Sequence, residues 1–123
     1  MSIFLNMECT VKLAELENPK LKSLMGKTFA GKIDNISAGG LKLLCGFDFP
    51  IKDKIVLEFS FDIYDESFCV KGEIIRKEEY RNSNHTYGYG VQFVDLSQAD
   101  EMRLTQSLNR VLFEKESCET HCA

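Results

Sequence analysis

The chain has 123 residues, of which 44% are hydrophobic and 28% charged, and its formal net charge is −4. These values are typical of one soluble globular domain, predicted over residues 1–116 with a flexible tail over 117–123. The acidic balance argues against a general nucleic-acid binder. No apolar run reaches the ~18 residues that cross a bilayer, so membrane insertion is not expected. The first residues are not typical of a signal peptide, and five irregularly spaced cysteines favour a reducing cytoplasm.

Apolar and polar residues alternate with a period of two in six segments, a pattern typical of half-buried strands. The segments cover residues 7–13, 29–33, 41–45, 55–62, 68–75 and 87–94. The connections are too short for a helical crossover between parallel strands. A closed or nearly closed antiparallel sheet is therefore predicted. One long connection, residues 78–86, is charged and is predicted to be a solvated loop.

After the sixth segment the period changes to that of a helix. Ser97 is a good N-cap residue, and Asp100 and Glu101 would lie near the positive end of the helix dipole. Four apolar residues then form one stripe: Leu104, Leu108, Val111 and Leu112. The pattern predicts one amphipathic helix over 97–115, packed on the barrel or over one of its mouths, and a frayed end after it.

The cysteines within apolar runs are predicted to be buried free thiols. They are Cys9, Cys45 and Cys69.

Neither catalysis nor a metal site is predicted. Ser37 lacks the sequence context of a nucleophile elbow, and His85 falls in the polar connection rather than on a rigid element. Cys118, His121 and Cys122 are potential metal ligands, but a structural zinc site needs a further ligand pair that the chain does not offer.

The most informative stretch is the hexapeptide Asn35-Ile-Ser-Ala-Gly-Gly, which lies between the second and third strand segments. Its glycines permit positive φ and close approach of a ligand to backbone N–H groups. Asn35 and Ser37 are two residues apart, so on extended backbone their side chains point the same way. This chemistry suits an anion or a polar base edge, but an ordinary β-turn explains the same residues.

Within this order of strands, Asn35-x-Ser37-x-x-Gly40 resembles the Asp/Asn-x-Ser-x-x-Gly turn of the PilZ domain family. Segments 41–43, 72–76 and 87–93 are also similar to strands of that family, and the resemblance covers about residues 4–115. It implies an all-β fold, a six-stranded antiparallel barrel with one C-terminal α-helix, without enzymatic activity.

The resemblance also implies a function, because many PilZ domains are receptors for cyclic di-GMP. A protein partner in motility, biofilm or surface-polysaccharide control is implied with it. The expected ligand-binding residues are Asp34, Asn35, Ser37, Gly39, Gly40 and Arg76. Arg76 is included because it ends a predicted strand and could reach the rim of the barrel that carries the turn.

One element of the family pattern is missing. Cyclic di-GMP-binding members carry an Arg-x-x-x-Arg segment before the first strand, whereas this chain has no arginine before Arg76. Two explanations remain open. Either the protein has lost this clamp and does not bind cyclic di-GMP tightly, or the chain is a fragment whose arginines lie upstream. The alternative function is a divergent PilZ-like module that does not bind cyclic di-GMP and acts through protein–protein interaction.

Overall fold

The computed structural model describes residues 3–16, 19–80 and 86–121, without the side chains of residues 4–5, 19–21 and 115–121. It contains the strands β1 (Ile3–Leu16), β2 (Thr28–Ile36), β3 (Gly40–Cys45), β4 (Ile55–Ile63), β5 (Glu66–Tyr80) and β6 (Thr86–Val94). One helix, α1 (Gln98–His121), follows the strands, and a short 3-10 helix (Pro19–Leu24) joins β1 to β2.

The six strands form a closed barrel in the order β1-β2-β3-β6-β5-β4, and every neighbouring pair is antiparallel. The predicted fold is therefore confirmed. Because β3 lies between β2 and β6, the connection from β2 to β3 lies beside the C-terminal half of β6. This placement decides which side chains surround the Asn-x-Ser-x-x-Gly turn.

Two elements extend further than the sequence pattern indicated. β5 was predicted to end at residues 75–76 but continues to Tyr80, because residues 76–80 pair with residues 86–90 of β6. Charged side chains on the outer wall of the barrel do not interrupt a strand. The rest of the predicted loop, residues 81–85 with His85, lies outside the described residues. Helix α1 continues to His121 rather than Lys115, since neither glycine nor proline follows to end it.

Some sequence predictions about the end of the chain are not tested by the structure. The limit of the domain at residue 116 remains a prediction. The side chains of Cys118 and His121, and residue Cys122 as a whole, lie outside the part that the structure describes. Within the described residues, no helix has the length and hydropathy that crossing a membrane requires.

The core fills the barrel with the inward residues of every strand, among them Val11, Ile33, Leu43, Leu57 and Phe59. The fully buried Tyr89 adds a polar anchor inside it. Its hydroxyl accepts a hydrogen bond from Phe49 N at 2.8 Å and donates one to Phe47 O at 2.6 Å. These two bonds fix the connection between β3 and β4 against the barrel.

Helix α1 begins as predicted, with the Ser97 hydroxyl accepting a hydrogen bond from Asp100 N at 3.1 Å. Its apolar stripe joins the core through Leu104, Leu108 and Val111. Arg103 ties the helix to the start of β5, where it pairs with Glu66 at 2.8 Å and lies over the Phe68 ring. The helix therefore covers the barrel at the β4–β5 hairpin.

The prediction for the cysteines is right for two of the three thiols. Cys9 and Cys45 are buried, and burial raises the pKa of Cys9 to about 11. The prediction for Cys69 is wrong, because this residue is exposed. Phe68 and Val70 on either side of it face the core, so the alternation of the strand turns Cys69 outward.

Candidate ligand-binding site

The turn between β2 and β3 is closed by backbone hydrogen bonds on both sides. Ser37 N donates to Gly40 O at 2.8 Å, and the Ser37 hydroxyl lies 3.4 Å from the same oxygen. Phe93 N on β6 donates to Gly39 O at 3.0 Å. The turn is thus held by its own backbone and by a neighbouring strand, which gives its polar groups fixed positions.

The two glycines of the turn have different roles from the one expected. Neither Gly39 nor Gly40 has a positive φ, so the turn does not use the left-handed backbone that glycine permits. Glycine is required at position 40 because β6 approaches the turn closely there, so that a Cβ atom would lie 2.1 Å from Val91 O. At Gly39 a Cβ atom would meet nothing within 4 Å. The backbone at Gly39 is therefore open to an approaching ligand, whereas Gly40 is closed by β6.

Asp34 and Asn35 lie at an irregularity of β2, where the pairing with β3 shifts between Ile33 and Asn35. The Asn35 amide donates from Nδ2 to Asp34 Oδ2 at 3.1 Å, and both side chains are half-buried. This bond fixes the orientation of the amide and uses one of its two hydrogens. The other amide hydrogen and the amide oxygen of Asn35 can meet the edge of a base as donor and acceptor, and the Ser37 hydroxyl at the same turn is a further polar group.

Arg76 lies on the same wall of the barrel as the turn, although not at the end of a strand as predicted. The register places Arg76 opposite Gly90, Gly90 opposite Lys42, and Lys42 opposite Asn35. These residues form one row across β2, β3, β6 and β5. At about 4.8 Å per strand, the row spans about 14 Å from Asn35 to Arg76. Arg76 therefore does not contact the turn, but a dinucleotide is long enough to reach from the turn to Arg76.

Sequence reasoning did not identify Lys42, which lies within this row, or Glu78, which lies opposite Gly88 in the neighbouring outward row. Lys42 Nζ lies 3.1 Å from Glu78 Oε2, and Arg76 Nε lies 3.7 Å from Glu78 Oε1. Hydrogen bonds from Tyr80 and then from Lys42 lower the pKa of Glu78, which keeps its carboxylate ionised. The alternation of β3 could have shown that Lys42 points outward, but only the strand register brings it to Glu78.

A shallow groove of about 540 Å³ lies on the same wall, next to this row. Lys32 and Leu44 line this groove. They pair with each other across β2 and β3, and this pair is the outward neighbour of the pair formed by Asn35 and Lys42. The volume is within the range of small-molecule sites, about 300–1,000 Å³. Among the described residues, no group of three or more histidine, cysteine or acidic side chains is placed to hold a metal ion.

Comparison with known proteins agrees with this architecture. The model of the PilZ domain family matches residues 5–110, which is most of the chain. The chain belongs to the PilZ domain family. The match includes the turn and every strand except the first residues of β1. PilZ domains are in general non-catalytic binding or adaptor domains.

Solved PilZ proteins share the fold of this chain at low sequence identity. YcgR from Escherichia coli, in complex with c-di-GMP, superposes with a TM-score of 0.73 at 14% identity over 100% of this chain and 49% of its own. K. pneumonia MrkH in its apo state gives 0.70 at 13% identity, with 95% and 52% coverage. The separate PilZ domain of E. coli YcgR with c-di-GMP gives 0.60 at 16%, with 98% and 94% coverage. The chain spans about half the length of the first two proteins. Among curated proteins, no sequence matches it.

Proposed function

We propose that this PilZ domain is a non-catalytic receptor or adaptor for cyclic di-GMP in the bacterial cytoplasm. It would act in second-messenger signalling through a protein partner. The observation that carries the proposal is the rigid turn, with Asn35 and Ser37 at one end of a polar row that has Lys42 and Arg76 further along. One base of the ligand would meet the turn, and the phosphates would lie towards the cations.

The chemistry of the row supports this assignment. A guanidinium and an ammonium are the usual partners of phosphate in proteins, and a planar guanidinium also stacks on a base. Arg76 is 65% exposed at its side chain, so it is accessible to a ligand on the wall. The missing Arg-x-x-x-Arg pair would be replaced only in part, because Lys42 cannot form two parallel hydrogen bonds or stack as a flat fork. Binding weaker than in a receptor with the full clamp is expected.

Calorimetric titration with cyclic di-GMP tests the proposal. At about 100 μM protein, a micromolar complex would give a saturating heat signal. Ser37→Ala should weaken binding about five- to tenfold, since one hydrogen bond contributes about 1 kcal/mol. Ser60→Ala, an exposed serine on β4, is the matched control and should bind like the wild type. Absence of heat with the wild-type chain would refute the proposal, and circular dichroism should show that both variants remain folded.

A second function, protein–protein interaction without a nucleotide, is favoured by one observation. Helix α1 exposes two large apolar side chains, Met102 at 62% and Phe113 at 69%. Eleven residues of helix separate them, about 16 Å along the axis. If this face binds the signalling partner, Met102→Lys and Phe113→Lys should abolish its capture while Ser37→Ala leaves it intact. Capture that depends on Ser37 and on added cyclic di-GMP would favour the receptor instead.

A further inference from the structure

Two cations on the outer wall share one carboxylate. Lys42 Nζ lies 3.1 Å from Glu78 Oε2, and Arg76 Nε lies 3.7 Å from the other oxygen, Oε1. A phosphodiester has the same single negative charge as this carboxylate and also two free oxygens. Glu78 therefore occupies the position that a phosphodiester would take between these cations.

The strand between the two cations presents a residue without a side chain, Gly90. Gly90 lies between Lys42 and Arg76 in the register, and the two outer residues are about 10 Å apart along the sheet. A Cβ atom on Gly90 would lie 3.2 Å from Arg76 Cβ and 3.3 Å from Arg76 Nε. Glycine at this position lets the arginine lie close to the wall, where its guanidinium can converge with the lysine.

Glu78 also has a partner that does not belong to the pair of cations. The Tyr80 hydroxyl donates to Glu78 Oε2 at 2.8 Å, and Lys42 Nζ lies 5.2 Å from the centre of the Tyr80 ring. Tyr80 is two residues further along the same strand, so its side chain lies next to that of Glu78 on one face of β5. The carboxylate is therefore not left without a hydrogen-bond donor when an external anion takes the cations.

We propose that Lys42 and Arg76 form a phosphodiester site that Glu78 occupies in the free protein. Ligand binding then exchanges the carboxylate of Glu78 for a phosphate group. The identity of the ligand, cyclic di-GMP, rests on the function proposed above. Glu78 is thus a residue that limits affinity, and its removal should strengthen binding.

Titration of cyclic di-GMP into the wild type and three variants tests this site. Glu78→Gln should lower the Kd about three- to tenfold, because it removes a partly exposed ion pair that competes with the ligand and a negative charge that repels the phosphate. Glu79→Gln makes the same change of charge one residue along β5, where alternation turns the side chain to the other side of the strand. It should leave the Kd within about twofold. Adding Lys42→Met to Glu78→Gln should abolish the gain.

The outcomes separate this inference from the proposed function. If the wild type binds and Glu78→Gln binds equally or more weakly, the inference is wrong and the receptor function stands. If neither protein binds cyclic di-GMP, the receptor function is wrong, and inorganic pyrophosphate decides the inference. NMR signals of the Lys42 and Arg76 side chains should then shift at lower pyrophosphate concentration in Glu78→Gln than in the wild type. Equal or absent shifts would overturn the site.

Discussion

Gly40 offers the sharpest test of how the turn is built. In Gly40→Ala, the new Cβ atom would lie 2.1 Å from Val91 O, whereas ordinary C···O contacts begin at about 3.3 Å. β3 and β6 would have to separate by about 1.2 Å at this point. The change should therefore damage the fold itself, not only a contact with a ligand.

The magnitude follows from the bond that such a separation would stretch. Next to Gly40, the bond that joins the turn to β6 is the one from Phe93 N to Gly39 O at 3.0 Å. A displacement of about 1 Å takes a bond of this length beyond the range of a hydrogen bond, and such a bond contributes about 1 kcal/mol. Adding the strain of overpacking, about 1–3 kcal/mol, gives an expected loss of about 2–4 kcal/mol in the free energy of unfolding.

Urea denaturation followed by circular dichroism measures this loss, and Gly39→Ala is the matched control. A Cβ atom at Gly39 meets nothing within 4 Å and its φ is not positive, so the change in stability should stay within about 1 kcal/mol, of either sign. If Gly40→Ala is as stable as Gly39→Ala, the close approach of β6 does not require glycine and the reasoning is refuted. If the expected difference is found, loss of binding in Gly40→Ala cannot be taken as evidence of a ligand contact.

Two further predictions concern the core. Tyr89→Phe leaves Phe49 N and Phe47 O without their buried partner and should cost about 2–3 kcal/mol in urea denaturation; a loss below about 0.5 kcal/mol would contradict this role. Burial raises the pKa of Cys9 from 9.0 to about 11, with a smaller contribution from Cys45, so unfolded chains release this proton first as the pH rises. The resulting stability is complete below pH 9 and falls as the pH rises towards 11, by at most about 1.4 kcal/mol per pH unit. Cys9→Ala should show a flatter dependence over this range, and equal slopes would exclude the effect.

The strand pattern determined which side chains face the core, as long as the alternation was followed strictly. It correctly places Cys9 and Cys45 inside. Cys69 was predicted to be buried because it lies in an apolar run, although its neighbours Phe68 and Val70 already occupied the inward positions. The error came from average hydrophobicity and not from the period of the strand.

The ends of elements were less predictable than their existence. β5 was predicted to end where its apolar residues end, yet it extends to Tyr80 because β6 supplies backbone partners for residues 76–80. Backbone pairing depends on the neighbouring strand and not on the hydrophobicity of the side chains. As a result Glu78 and Tyr80 belong to a strand on the wall and not to a loop.

The sequence by itself determined the strand number, the closing helix and the Asn-x-Ser-x-x-Gly turn, because these depend on local periods and spacing. Only the tertiary structure decided what surrounds the turn. Lys42 and Glu78 are 36 residues apart in the chain and meet because β6 enters the barrel between β3 and β5. The need for glycine at position 40 also depends on the strand order, because a Cβ atom there would collide with the carbonyl oxygen of Val91 on β6. The sequence of the turn does not reveal this neighbour. Local patterns thus specify the elements, and the strand order specifies the contacts between them.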